Sequence, residues 1–322
     1  MPNKALMREC PRRPLVVAIG AAQIGRTADT DIAPQRSAAC PLQTAGRIGG
    51  AAFQAAAALR ARGADVHFVS AAGGDAAAER IGEELERLGI GDGRIIWLDR
   101  RSPDWTEPSN FPGGNAGGVF ETELYDRLVP RILSRRHLRA RLEAADGLLV
   151  DANLPAASIR YLKAAHPKRP LAAIAVSSEK APRLADTLPR LSMLFATRRA
   201  AESVLDLAPD TQDNEIVRAA ISAGVQRAVI TDGPRRVLVV DGDVAWRQPC
   251  PPAELRHRVL GSVGTLAGAT FAARLTGRRF LEAARSGLAA VTLSGETQAD
   301  AVSIVKIDTA YQDLPVPEVV IS

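Results

Sequence analysis

Strands alternating with helices along most of the 322 residues predict an α/β fold, a mostly parallel sheet with helices on both faces. Three observations carry that expectation. Short apolar runs such as Leu15–Ile19 and Leu171–Val176 have the length of buried strands. Segments of helical period lie between them, as in Ala76–Leu88 with Ile81, Leu85 and Leu88 on one face. Hydrophobic residues make up 46% of the chain and charged residues 24%, a balance that excludes a disordered chain. A chain of about 300 residues buries roughly 75% of its unfolded surface, enough for a full core.

The elements follow in order. Leu15–Ile19 is β-branched-rich and ends at Gly20, a buried strand. Thr27–Leu42 lacks helical period and holds Pro34 and Pro41, so it reads as an irregular excursion or small edge strands. Thr44–Arg62 is Ala-rich and stops at Gly63, a helix. Asp65–Ser70 alternates as a strand and runs into a turn over Ala71–Asp75. Ala76–Leu88 is a helix and Arg94–Leu98 a strand. Arg101–Gly118 carries three prolines and four glycines and reads as a loop.

Leu124–Arg141 returns to helix, with a break before Pro130. Gly147–Val150 is a strand ending at Asp151, Ala156–Ala165 a helix, Leu171–Val176 a strand. Leu191–Ala196 (strand), Arg198–Leu207 (helix), Asn214–Ala223 (helix) and Ala228–Ile230 (strand) continue the alternation. Val237–Val240 and Val244–Arg247 form a hairpin about Asp241-Gly242-Asp243. Gly264–Leu275 and Phe280–Val291 are the last two helices. Ligands of such sheets sit beyond the carboxyl ends of the strands. Gly20, Gly73-Gly74-Asp75, Asp151-Ala152-Asn153 and Thr231-Asp232-Gly233 all fall there.

Composition narrows the function classes. The formal charge of +5 is small and spread, and the Arg clusters at 135–141, 198–199 and 278–279 suit solvated helix faces. Aromatics are 4% of the chain, few platforms for stacking bases, so no nucleic-acid partner is expected. Three cysteines without a CxxC pair and four isolated histidines indicate neither a disulfide framework nor a metal site. No apolar run reaches the roughly 18–20 residues of a membrane span, and Leu15–Ile19 is short for a signal-peptide core. A cytoplasmic protein without a membrane partner is expected.

Several segments, taken in order, resemble the PfkB (ribokinase-like) carbohydrate kinase family over nearly the whole chain. Gly46–Gln54, Leu59–Gly63 and Phe68–Asp75 resemble its first signature, a Gly-Gly helix start, a strand and a Gly-Asp turn. Asp151-Ala152-Asn153-Leu154-Pro155 and Glu123–Leu128 look closest to the pseudouridine-kinase branch. Thr231-Asp232-Gly233 with Val237–Val240 resembles the nucleotide-side strand pair, and Leu266–Leu275 the second-signature helix. The resemblance implies a ribokinase-like sheet with a small β lid, one domain over 1–322, and lid segments near 27–42 and 94–122. It further implies ATP and Mg as cofactors, a sugar or nucleoside as acceptor, and a homodimer through the lid.

On the same grounds Gly49, Gly50, Gln54 and Asn153 fall on the substrate side. Gly261, Ser262 and Gly264 fall on the phosphate side, and Thr197, Thr231 and Gly233 on the nucleotide side. Plain structural readings stand beside these. Gly49-Gly50 would allow close helix–strand packing, Ser262 would cap a helix, and Asp151 would cap the helix after Pro155. Thr231-Asp232-Gly233 would be a turn. Arg198 and Arg199 would lie on the surface, or replace magnesium as fixed charge near phosphates.

The chain departs from the family where the chemistry resides. The family reads Gly-Ala-Gly-Asp before the second-signature helix, and its Asp takes the proton of the attacking hydroxyl. Aligned on Leu266-Ala267-Gly268, that base position is Val263; a register slip of one puts Gly264 there. No carboxylate lies between Arg256 and Phe280. The family's Asn-x-x-Glu, associated with magnesium and phosphate, is here Thr197 and Ala200. Gly20–Arg26 has no acid where the family's sugar-binding Asp follows the first strand, and Gln54 stands for its Asn. No catalytic residue and no metal ligand is therefore assigned. The expected function is a sugar or nucleoside kinase homologue with impaired or lost phosphotransfer. The alternative is a non-catalytic module that binds a nucleotide, a metabolite or a protein.

Overall fold

The apolar runs form the middle of a ten-stranded sheet because they are buried on both faces. The computed structural model describes residues 12–28, 47–108, 119–233, 236–250, 263–294 and 309–321. Its strands, in chain order, begin with β1 (Leu15–Ile19), β2 (Gln23–Ala28), β3 (Arg47–Gly49), β4 (Asp65–Val69) and β5 (Ala71–Gly73). Next come β6 (Gly91–Asp92), β7 (Ile95–Trp97), β8 (Asp104–Pro108), β9 (Val119–Glu121), β10 (Gly147–Asp151) and β11 (Leu171–Ala175). The series ends with β12 (Met193–Thr197), β13 (Arg227–Asp232), β14 (Arg236–Asp241), β15 (Val244–Pro249) and β16 (Glu318–Ile321).

The large sheet has the order β16-β15-β14-β13-β12-β11-β10-β1-β4-β6. It is parallel from β6 to β13, and β14, β15 and β16 add antiparallel. Alternate residues of each strand feed two cores. On β1, Val17 and Ile19 face one core while Val16 and Ala18 face the other. β10 and β12 behave alike, with Leu148, Val150, Leu194 and Ala196 on one side and Leu149, Met193 and Phe195 on the other. A second, four-stranded sheet of order β3-β2-β8-β9 leaves the carboxyl end of β1. β5 and β7 make a separate parallel pair.

The helices are α1 (Ala51–Ala61), α2 (Ala76–Arg87), α3 (Pro130–Leu133), α4 (Arg136–Ala144), α5 (Ala156–Ala165), α6 (Arg198–Val204) and α7 (Asp213–Ser222), then α8 (Val263–Leu275) and α9 (Phe280–Ser294). α1, α2, α8 and α9 cover one face, and α3 to α7 the other. The α1–α8 contact is close because glycine removes the side chains between the two backbones. A Cβ on Gly268 would stand 2.2 Å from the Ala55 carbonyl oxygen, and one on Gly264 would stand 2.4 Å from that of Ala51. No described helix is long and apolar enough to cross a membrane.

Several expected elements are corrected. The helix expected over Thr44–Arg62 begins at Ala51, after strand β3. The turn expected at Ala71–Asp75 begins with β5, held by β7. Within the expected loop Arg101–Gly118, Asp104–Pro108 is β8, paired with β2 and β9, and 109–118 lie outside the described residues. Leu124–Arg141 is not one helix with one break but a 3-10 segment, Glu123–Arg127, followed by α3 and α4. Another 3-10 segment, Ala181–Arg190, and β16 had no counterpart in the sequence reading. Of Thr27–Leu42, residues 29–42 lie outside the described residues.

Candidate functional site

At the carboxyl ends of β1 and β10 the backbone closes around one carboxylate. Asp151 ends β10 and is 1% exposed. Its oxygens accept the Ala21 amide at 2.8 Å and the Asn153 amide at 2.9 Å. The Ala52 amide in the first turn of α1 also donates to it, so the carboxylate lies against the positive end of that helix. Burial pushes the Asp151 pKa up, and these amides oppose the shift.

Two glycines make this knot possible. Gly20 has φ +153°, and a Cβ there would lie 2.5 Å from the Asp151 carboxyl carbon. Gly50, before α1, has φ +104°, and its Cβ would lie 2.2 Å from the Ala21 carbonyl oxygen. That carbonyl accepts the Phe53 amide at 3.1 Å. Gly50 therefore serves close packing between α1 and the exit of β1. Asp151 does not cap the helix after Pro155, since no side chain caps α5.

Beside the knot lies a polar cluster. Lys180, in the loop after β11, donates from Nζ to Asn153 Oδ1 at 2.8 Å and to Thr122 Oγ1 at 2.5 Å. Arg183 donates to the Asn153 carbonyl at 2.8 Å and to Asp126 at 2.6 Å. Burial, and then the Arg183 guanidinium, hold the Lys180 pKa below the usual lysine value, against Asp126, Asp151 and Glu179. Tyr125, fully buried, donates its hydroxyl to the Ala22 carbonyl at 2.7 Å. Lys180, Arg183 and Thr122 escaped the sequence reading because no motif or periodicity marks them.

At the carboxyl end of β12 Thr197 is the N-cap of α6: Oγ1 accepts the Ala200 amide at 3.2 Å and donates to the Val176 carbonyl at 3.1 Å. Thr231 is buried and donates to the Ala196 carbonyl at 3.4 Å, and Gly233 takes φ +51° in the turn after β13. A magnesium ion does not fit positions 197 and 200, which offer a committed hydroxyl and a buried methyl. Val263 opens α8 and is buried in the core under that helix. Gly264 packs on Ala51 and Gln54, in α1, while Gly49, on β3, has open space beside it. Gly261 and Ser262 lie outside the described residues.

The surface reading of Arg198 is corrected. Its side chain is 11% exposed and bonds Asp213 at 2.7 Å, with Glu202 at 3.3 Å and Asp232 at 3.7 Å. Arg236 and Arg247 reach Asp213 from β14 and β15 at 2.9 and 3.0 Å. Burial alone would raise the Asp213 pKa; hydrogen bonds from Arg236, Arg198 and Arg247 override it and hold the pKa at about 2. Arg198, Asp213, Asp232, Arg236 and Arg247 line a cavity of about 830 Å3 on the β13–β16 side of the sheet, and β13 is three strands from the β10 strand of Asp151. Arg199 is exposed, as expected.

Neither a family model nor a curated protein matches the chain. Solved structures do. A carbohydrate kinase from Agrobacterium tumefaciens is 26% identical with a TM-score of 0.81, covering 96% of this chain and 100% of that one. An Arabidopsis thaliana ribokinase complexed with ribose and ATP is 17% identical, TM-score 0.74, covering 93% and 99%. A ribokinase from Thermotoga maritima is 14% identical, TM-score 0.72, covering 94% and 100%. The chain therefore has the ribokinase-like fold, an α/β sheet covered by helices on both faces and shared with these kinases over nearly its whole length.

Proposed function

We propose that this chain is a sugar or nucleoside kinase homologue whose crevice still binds small polar ligands and nucleotide but no longer transfers phosphate. The observation that carries the reading is the state of the carboxylates. Asp151 has both oxygens committed to backbone amides, and Asp232 is paired with Arg198 and Arg236. In this reading neither serves as the base: Asp151 is a buried member of the backbone knot, and Asp232 belongs to the arginine cluster. The helix start where the family's base stands offers Val263, or Gly264 one residue on, and neither accepts a proton. A positioned base is worth about 10²–10⁴-fold in rate. Phosphoryl transfer also relies on cations that neutralise developing charge, and Thr197 and Ala200 supply no carboxylate to hold one.

In this reading Asn153, Gln54, Gly49 at the end of β3 and Gly50 before α1 border the acceptor. By the family resemblance Gly261, Ser262 and Gly264 belong to the phosphate side, and Thr197, Thr231 and Gly233 border the nucleotide. The structural neighbours, a carbohydrate kinase and a ribokinase complexed with ribose and ATP, support the ligand class. Because positions 197 and 200 offer no carboxylate to the metal, ATP without magnesium is expected to bind within about threefold of Mg-ATP, as read by calorimetric titration. Strictly Mg-dependent binding, or no binding at millimolar ATP, would count against the proposal. Val263→Asp alone is expected to restore no turnover, since the metal and sugar positions also differ.

A further inference from the structure

We infer that Lys180 is a positioning residue that couples the floor of the crevice to the return hinge of the small sheet. The inference takes from the reading above that the acceptor sits at Asn153. The chain passes between the small sheet and the rest of the fold four times: from β1 through Ala21-Ala22 into β2, from β3 through Gly50 into α1, from β7 into β8, and from β9 into Thr122. Two of these joints bear on Lys180, the outgoing one at Ala21-Ala22 and the return one at Thr122. The outgoing joint is fastened by the Asp151 carboxylate on the Ala21 amide and by the Tyr125 hydroxyl on the Ala22 carbonyl. Tyr125 also donates its amide to the Thr122 carbonyl at 3.2 Å, so the two joints touch.

The side chain of Thr122 at the return joint is held by Lys180. One ammonium bridges Thr122 Oγ1 and Asn153 Oδ1, residues from different strand exits. Hydrogen bonds from an ionised donor are roughly twice as strong as neutral ones. Among the described residues Lys180 forms no ion pair; the nearby Asp126 carboxylate is paired with Arg183. An ammonium has three protons and no acceptor capacity. A ligand hydroxyl that engages Asn153 Oδ1 or the third proton therefore changes the same node that fixes Thr122. Arg183 reaches the backbone carbonyl of Asn153, so removing the Asn153 side chain leaves that second link intact.

The test needs no ligand. Hydrogen exchange is followed by mass spectrometry for the amides of residues 119–128, with β12 and β13 as internal reference. Lys180→Met is expected to raise exchange at 119–128 by about tenfold or more, the loss expected for a hydrogen bond to a charged group. Asn153→Ala is expected to raise it in the wild-type background and to add less than about twofold in the Lys180→Met background, because the effect passes through Lys180. Thr122→Val should reproduce Lys180→Met without altering the crevice floor, and Lys180→Arg should recover most of the protection. Equal effects of Asn153→Ala in both backgrounds, or unchanged exchange in Lys180→Met, would overturn the coupling. Loss of protection across β12 and β13 as well would mark Lys180 as a general stabiliser and overturn it too. Failure of ATP to bind bears only on the functional reading, because this cycle is read without nucleotide.

Discussion

Asp213→Asn is expected to destabilise the protein by about 3 kcal/mol, the cost of removing one partner from a buried ionic cluster. Asp213 is 7% exposed and gathers Arg198, Arg236 and Arg247 from α6, β14 and β15. Asparagine keeps the shape but leaves Arg198, itself nearly buried, with the Thr211 carbonyl, Glu202 and the more distant Asp232. The pH dependence has a definite sign. The folded pKa is about 2 against a usual 3.8, so the carboxylate stabilises the fold above the unfolded value and loses that contribution as pH falls towards 2. The shift corresponds to roughly 2–3 kcal/mol. Urea denaturation of both proteins should show the full gap at pH 7 and a shrinking gap from about pH 4 downward. A gap under about 0.5 kcal/mol at pH 7, the range of ordinary surface changes, would refute the role given to the cluster.

Gly268→Ala should cost roughly 3 kcal/mol, although alanine favours a helix interior over glycine by about 1 kcal/mol. The added Cβ would meet the Ala55 carbonyl oxygen at 2.2 Å, a backbone atom of α1 that cannot turn aside. Either α8 shifts from α1 or the core beneath them opens, and Val263, at the start of α8, moves with it. Gly49→Ala is the control, because nothing lies within 4 Å of its added Cβ. Thermal melts should place Gly268→Ala well below the wild type and Gly49→Ala beside it. Two similar melting points would mean that α1 and α8 are not held by close backbone packing.

The sheet was legible because its central strands are buried on both faces and so read as apolar runs between helical periods. β5 was not, since Ala71-Ala72-Gly73 has turn composition and becomes a strand only through pairing with Ile95–Trp97. β8 was hidden in the Pro/Gly-rich stretch for the same reason, since its partners β2 and β9 are remote. The segment Ala181–Arg190 forms a 3-10 segment against the core with Ala181, Leu184, Thr187 and Leu188 buried at helical spacing, a period that Pro182 and Pro189 obscure in the sequence. At the site the glycine pair was legible as a helix start, but the fit of Gly50 against Ala21 arises only in the folded chain. The ion cluster joins residues 198, 213, 236 and 247 across four elements, and Lys180 joins Thr122 to Asn153. No local pattern announces such convergence, because the topology creates it.

The most direct test of the central claim is a phosphotransfer assay. The protein, its Val263→Asp variant and its Asn153→Ala variant are incubated with Mg-ATP and a panel of pentoses, hexoses and nucleosides, and products are read by mass spectrometry. No phosphorylated acceptor above the protein-free control is expected from any of the three. Product made by the wild type and abolished by Asn153→Ala would contradict the claim, because it would mean that the crevice transfers phosphate without the family's base.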